Sequence, residues 1–196
     1  MSCKSITLSA LNASCSNSVG GIQVVYLIPY DKIQRAVVDV PASGATSATA
    51  GMITSFTYTD SAATEADAGW VEYKFRKNTG SLTSNLNLDE TNGVSYVESD
   101  LVMLFSRMET KKRTEMVALA KGEVACVVKD SNGAFWYLGY NEGVTANAGV
   151  GQTGQQKTDG NYYQVTLRDA SDEYPFELTE SLGNAIAAGA AKDEIS

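Results

Sequence analysis

Apolar and polar positions alternate along most of the chain with a period of two, the mark of strands lying half-buried on a core. In Trp70–Lys77 the alternation is strict: Val71, Tyr73 and Phe75 point one way, and Glu72, Lys74 and Arg76 the other. The same pattern sets Met52, Phe56 and Tyr58 against Ser55, Thr57 and Thr59, and resumes with Leu82, Leu86 and Leu88. It returns in Asn161–Asp169, where Tyr163, Val165 and Leu167 share a face. Ile22–Ile28 is a continuous apolar run of strand length, stopped by Pro29, which has no N–H to continue a ladder. Asn92–Gly93 signals a hairpin turn, and Asp130–Ser131–Asn132–Gly133 joins Glu123–Lys129 to Ala134–Tyr140 as a second hairpin. Val94–Met108 reads as one bent strand or two.

The period changes once, to that of a helix. In Glu109–Lys121, Met108, Met116, Leu119 and Ala120 recur at helical spacing, and Glu109 precedes Arg113 by four residues, the favourable order for an ion pair. Ser106 and Glu109 have capping-box spacing, and Gly122 stops the helix. Pro41–Ala50, Ser61–Gly69 and Asn141–Gly160 read as loops rich in small residues. The expected organisation is an N-terminal arm (1–20), a β-sandwich domain (21–177) with a helix at about 109–121 and a long loop at 141–160, and a C-terminal helix or arm (178–196). The expected fold class is mainly β (α+β): an antiparallel sandwich or rolled sheet with one packed helix.

Composition narrows the chemistry. The 196 residues contain no His, which removes the commonest general base and metal ligand and rules out Ser–His–Asp and Cys–His sites. A formal net charge of −8 argues against binding nucleic acid through its phosphates. Cys3, Cys15 and Cys126 are an odd count without metal spacing. Cys126 reads as a small buried apolar residue, and Cys3 and Cys15 as reduced thiols rather than a pair. The N-terminal stretch has no continuous apolar core, so no secretory signal is expected, and the sequon Asn12–Ala13–Ser14 is read as chance.

Candidate motifs weigh little against bland readings. Gly149–Gly154 has the G-x-G-x-x-G spacing of a dinucleotide loop, but a polar stretch precedes it and a strand follows, so no helix N-terminus is available for a phosphate. Asp60, Glu65 and Asp67, and Asp169, Asp172 and Glu173, lack calcium-loop spacing and read as solvated loops. Trp70, Trp136, Tyr137 and Tyr140 suit a core or interface better than a sugar platform. Lys111–Lys112–Arg113 reads as a solvated helix face, with an intersubunit salt bridge as the sharper alternative. No catalytic, cofactor-binding or metal residue is assigned, and no enzyme activity is expected.

From Leu101 to Thr179, a strand and basic helix (FSRMETKKRTEMVALAKG) lead into the hairpin EVACVVKDSNGAFWYLGYNEG, a Gly/Thr loop (GVGQTGQQKTDG) and a closing strand (NYYQVTLRD). This order resembles structural proteins of tailed phages and prophages of Bacteroidetes-type hosts, and is similar to phage tail tube proteins. The resemblance implies a virion subunit assembled in the bacterial cytoplasm. It further implies stacked hexameric rings whose inner strands close a barrel and whose long loops and terminal arms join successive rings, partnered by further copies and other tail proteins. DNA would pass through an acidic channel without specific binding, and no membrane would be involved. A head-decoration, neck or baseplate protein, and a carbohydrate-binding β-sandwich module, remain as alternatives. The loop 141–160, long, uncharged at its centre and rich in Gly, is expected to contact a neighbouring subunit rather than a ligand. Trp70–Lys77, Leu82–Asp89 and Val94–Met108 are the candidate channel strands, through Glu72, Asn85, Asn87 and Glu98, with Lys111–Arg113 lying away from the channel.

Overall fold

The computed structural model describes residues 19–42, 47–89, 91–156 and 158–192. Cys3, Cys15, the sequon at Asn12 and most of the expected N-terminal arm lie outside them. In chain order the elements are β1 (Ile22–Pro29), a single 3-10 turn (Tyr30–Lys32), β2 (Ile33–Val38), β3 (Ile53–Tyr58), β4 (Val71–Lys74), β5 (Gly80–Asp89) and β6 (Val94–Ser106). Then follow α1 (Thr110–Leu119), β7 (Val124–Asp130), β8 (Phe135–Leu138), β9 (Thr145–Gln152), β10 (Tyr162–Ser171), β11 (Phe176–Glu177) and α2 (Glu180–Gly189). The fold is mainly β with two helices, in the expected class.

A five-stranded sheet, β11-β8-β7-β1-β4, carries core on both faces. Alternate residues of its strands serve the two cores: Tyr26 and Ile28, Ala125 and Val127, and Phe135 and Tyr137 face one; Val25 and Leu27, Cys126 and Val128, and Leu138 face the other. That is why β1 reads as an unbroken apolar run rather than an alternation. The first core is closed by the β2–β3 pair and α2, through Ile53, Phe56, Tyr58, Leu182 and Ile186. The second is closed by an antiparallel sheet, β5-β6-β10-β9, through Leu101, Met103, Phe105, Val165 and Leu167, with Leu119 of α1 at its flank. Leu101 and Leu167 are directly opposed and fully buried; each contributes on the order of 2 kcal/mol by leaving water.

Several local expectations are corrected. The segment 141–160 is not one loop: Thr145–Gln152 forms β9, an edge strand paired with β10 from Gln152↔Tyr162 to Thr145↔Arg168. Only Val71–Lys74 of Trp70–Lys77 is strand; Trp70 is buried in the first core, and Asn78 turns the chain at φ 64°. A register shift between Val37 and Val38 puts Ile53, not Met52, into the core with Phe56 and Tyr58. Val94–Ser106 is a single strand, and the helix is shorter than expected at both ends. No capping box forms, because Glu109 occupies the N-cap itself without a side-chain cap bond. The C-terminal segment is a docked helix, α2, burying Leu182, Gly183 and Ile186.

Candidate assembly surface

The outward face of the four-stranded sheet is set by the alternation that buries Val97, Ser99, Leu101, Met103 and Phe105 on its other side. Register places Thr83, Asp100, Arg168 and Thr145 in one row across all four strands, and Asn85, Glu98 and Ala170 in a neighbouring row. Arg168 donates Nε–H to Asp100 Oδ1 at 2.8 Å and Nη2–H to Asp100 Oδ2 at 2.9 Å, a bidentate fork, while its Nη1 pairs with Glu98. Asn87 Nδ2–H adds a 3.4 Å bond to Glu98. The Asp100 hydrogen bonds, reinforced by the charges of Asp100 and Glu98, hold the guanidinium even more firmly protonated than usual. The outward face thus carries three acids (Asp89, Glu98, Asp100) against one base (Arg168), among hydroxyls, amides and the apolar side chains of Val102, Leu104 and Val150.

Both edges of the sheet are open. Among the described residues neither β5 nor β9 has a strand on its far side. Every pairing within the sheet is antiparallel, so β5 and β9 run in opposite directions. Such edges expose unpaired N–H and C=O groups, which soluble chains normally cover or blunt. β9 is built of small, almost wholly exposed residues (TANAGVGQ); a Cβ at Gly151 would lie 2.8 Å from Tyr163 Cε1, whereas one at Gly149 would meet nothing nearer than the Gln164 carbonyl oxygen at 3.8 Å.

The other candidates separate. β5 and β6, two of the three expected channel strands, lie side by side in this sheet, but β4 belongs to the other sheet. The Glu72 side chain is mostly buried and pairs with Lys74 at 3.0 Å, so it is not on the outward face. Gly149 and Gly151 sit within β9 and Gly154 turns the chain beyond it at φ 73°; β10 comes next, and no helix follows. Trp70 is buried and donates Nε1–H to Tyr58 at 3.0 Å, while Trp136 donates to Asp130 at 3.2 Å; the two tryptophans form no open platform. Lys112 donates to the Ser106 carbonyl at 2.6 Å and lies 3.5 Å from Glu109, on a helix packed against the inward side of β9 and β10.

Asp60 and Asp67 accept hydrogen bonds from their own loop, from Ala62 and Thr64 respectively. Asp169, expected in a solvated loop, is instead buried in β10. Its Oδ2 accepts the Gly139 N–H at 3.2 Å, and its Oδ1 has no hydrogen-bond partner among the described residues. Burial raises its pKa, the Gly139 hydrogen bond opposes that, and the Glu142 charge adds to it. Among the described residues no group of three or more His, Cys, Asp or Glu is placed to hold a metal ion, and no helix is long and apolar enough to cross a membrane.

The Arg168–Asp100 fork was not foreseen. The alternation that puts Val165 and Leu167 inward does put Arg168 outward, but only the β6–β10 register, invisible in one sequence, brings Asp100 opposite. The chain matches no family model, and comparisons with curated proteins and with solved structures also give no match.

Proposed function

We propose that the chain is a self-assembling structural subunit, the ring-forming unit of a phage tail tube, carried in the virion tail and assembled in the host cytoplasm. The supporting observation is the sheet β5-β6-β10-β9, open at two edges of opposite direction. A rotation about an axis along the strands brings β9 of one copy beside β5 of the next as an antiparallel neighbour. The ladder then continues without a break, and head-to-tail contacts of this kind close into rings. Closure removes both exposed edges at once.

Four strands from each of six copies exceed the 16–18 strands at which barrels already leave an aqueous channel. The outward face of the sheet would line that channel. Its surplus of acids and its hydroxyl and amide groups would let a DNA backbone slide without many-point attraction. Partners on this reading are further copies and other tail proteins, with no catalysis and no cofactor.

Negative-stain microscopy and sedimentation of the purified protein over a concentration series test the proposal. Rings with a central channel are expected. The pair Ala148→Lys and Val150→Lys puts two bulky charges on the exposed β9 edge and should abolish rings while leaving the monomer's melting temperature unchanged. A monomer at every concentration, or rings indifferent to the edge variants, would overturn it.

A further inference from the structure

Two uncovered apolar places lie on the core side of the four-stranded sheet, one at each edge. At the β9 edge an open groove of about 340 Å³ runs between the strand and α1. Met116 and Ala120 of α1 wall it, Tyr163 and Val165 of β10 floor it, and Ala146 and Gly149 of β9 form its rim. Asn147 and Gln164 are its polar members, and no charged side chain lines it. A Cβ at Gly149 would meet nothing nearer than 3.8 Å, so glycine leaves room there that no described residue fills.

At the β5 edge stand side chains that nothing covers. The last β10–β6 pair is Ser171↔Val97, but β5 and β6 run on together to Asp89↔Val94. Leu82, Leu86 and Leu88 all point to the core side of β5. Leu82 packs against the second core, whereas Leu86 and Leu88 lie beyond it and are 48% and 68% exposed. Clustered exposed apolar residues mark a contact surface.

Ring closure brings the two places to one level. Gly80, Met103, Val165 and Gly149 stand in one row across the sheet. Leu86 lies six residues further along β5, about 20 Å at roughly 3.3 Å per residue. Strands of a closed barrel tilt by about 35–45°. Four strands at roughly 4.8 Å each make one copy about 19 Å wide, so that tilt displaces each copy along the strands by about 13–19 Å, or about four to six residues. Paired residues share a face, so only an even displacement sets core side beside core side. A displacement of four brings Leu86 beside Ala146 of the next copy. One of six brings Leu86 beside Gly149 and Leu88 beside Ala146.

We infer that Leu86 and Leu88 of a second copy fill the groove between α1 and β9, so that its β5 both continues the ladder and plugs the space beside Met116 and Gly149. The inference rests on the ring reading above, and it fixes the stagger between neighbours. An edge ladder alone accepts any extended strand, whereas this groove selects one with apolar side chains at alternate positions. Neither half of the site is complete in one subunit.

The test uses the full chain carrying Cys3→Ser and Cys15→Ser. Leu86→Cys is combined with Gly149→Cys in one variant and with Ala146→Cys in another. One of the two should give a ladder of covalent oligomers when assembled rings are mildly oxidised, since opposed residues of antiparallel strands lie within disulfide reach. Leu82→Cys with Ala146→Cys, the pair that an unstaggered ring would join, should give none. Gly149→Leu, which fills the groove from within, and Leu86→Ser with Leu88→Ser should each raise the concentration needed for rings by at least about tenfold. The monomer's melting temperature should hold in both. Rings that link only through the Leu82 pair or through no pair, or groove variants that both assemble at the wild-type concentration, would overturn the inference and leave the ring reading standing. Absence of rings in the unaltered protein would sink both.

Discussion

Arg168 on β10 grips Asp100 at the directly opposed position of β6 through two parallel hydrogen bonds of 2.8 and 2.9 Å, and reaches Glu98 on the same face. One guanidinium therefore stands between two carboxylates that would otherwise repel across the centre of the outward face. We predict that Arg168→Ala lowers the melting temperature, and lowers it more in dilute buffer than in 1 M salt, where the stranded repulsion is screened over about 3 Å. Arg168→Lys should recover only part of the loss, since an ammonium cannot make the planar fork. A loss of equal size at both salt concentrations would show that packing, not charge, is what Arg168 supplies.

Asp169 predicts a distinctive pH dependence. A carboxyl with a higher pKa folded than unfolded holds its proton more tightly in the folded chain. Its stabilising contribution is fully present below the unfolded value, about 3.9, and is lost as pH rises through the folded one. Asp39, Asp67, Asp89 and Asp159, whose pKa values hydrogen bonds lower, act in the opposite sense, so the wild-type profile alone is not diagnostic. The difference between wild type and Asp169→Asn isolates the group. The variant keeps an acceptor for Gly139 and should be more stable than wild type at pH 8, with the gap closing towards pH 4. A gap constant across that range would contradict the assignment.

Gly183 lies on the buried face of α2, where a Cβ would sit 2.7 Å from Phe135 Cε2 and closer still to two other atoms of that ring. Alanine is the better helix former by about 1 kcal/mol, but overpacking a filled core costs about 1–3 kcal/mol. Gly183→Ala is therefore expected to lower stability by up to about 2 kcal/mol in urea titration. Stabilisation would mean that the helix shifts to make room.

Cys126 is fully buried in the second core, and burial holds its thiol well above the ordinary range. In a chain carrying Cys3→Ser and Cys15→Ser, a thiol reagent should react with Cys126 only as fast as the sandwich opens. Labelling across a urea series should then follow the loss of tryptophan fluorescence. Rapid labelling of the native protein would show that the two sheets separate locally.

The sequence was most legible where one face of a strand meets one core. Val165 and Leu167 of β10 and the β7–β8 hairpin announced themselves through alternation and a turn with Gly133 at φ 97°. β9 was not legible for a physical reason. Its residues are small and almost all exposed, so they carry no apolar period, and Gly151, pressed by Tyr163, cannot carry a side chain. The strand exists because β10 supplies its hydrogen bonds. Asp169 reads as solvated because the inward apolar residues of β10 end at Leu167, while the strand runs four residues further, to Ser171, and an acid is rarely buried alone. The candidate surface was half visible: Asn85, Asn87 and Glu98 were read correctly as polar-facing, whereas Glu72 was assigned to a sheet it does not join.

The interior position of β1, between β7 and β4, sets a timetable for synthesis. Val25 pairs with Val128 and Ile28 with Ala125, so this uncharged, largely apolar strand is made early and its β7 neighbour arrives about a hundred residues later. At roughly 5–20 residues per second, Ile22–Pro29 waits some 5–20 s on the ribosome before that partner emerges. During that interval it is a naked sheet edge of low charge, the kind of segment that nascent chains on neighbouring ribosomes can cross-pair. Slower initiation or a holding chaperone would thin out such encounters, so the yield of this protein depends on how crowded its messenger is as well as on how stable its native state becomes.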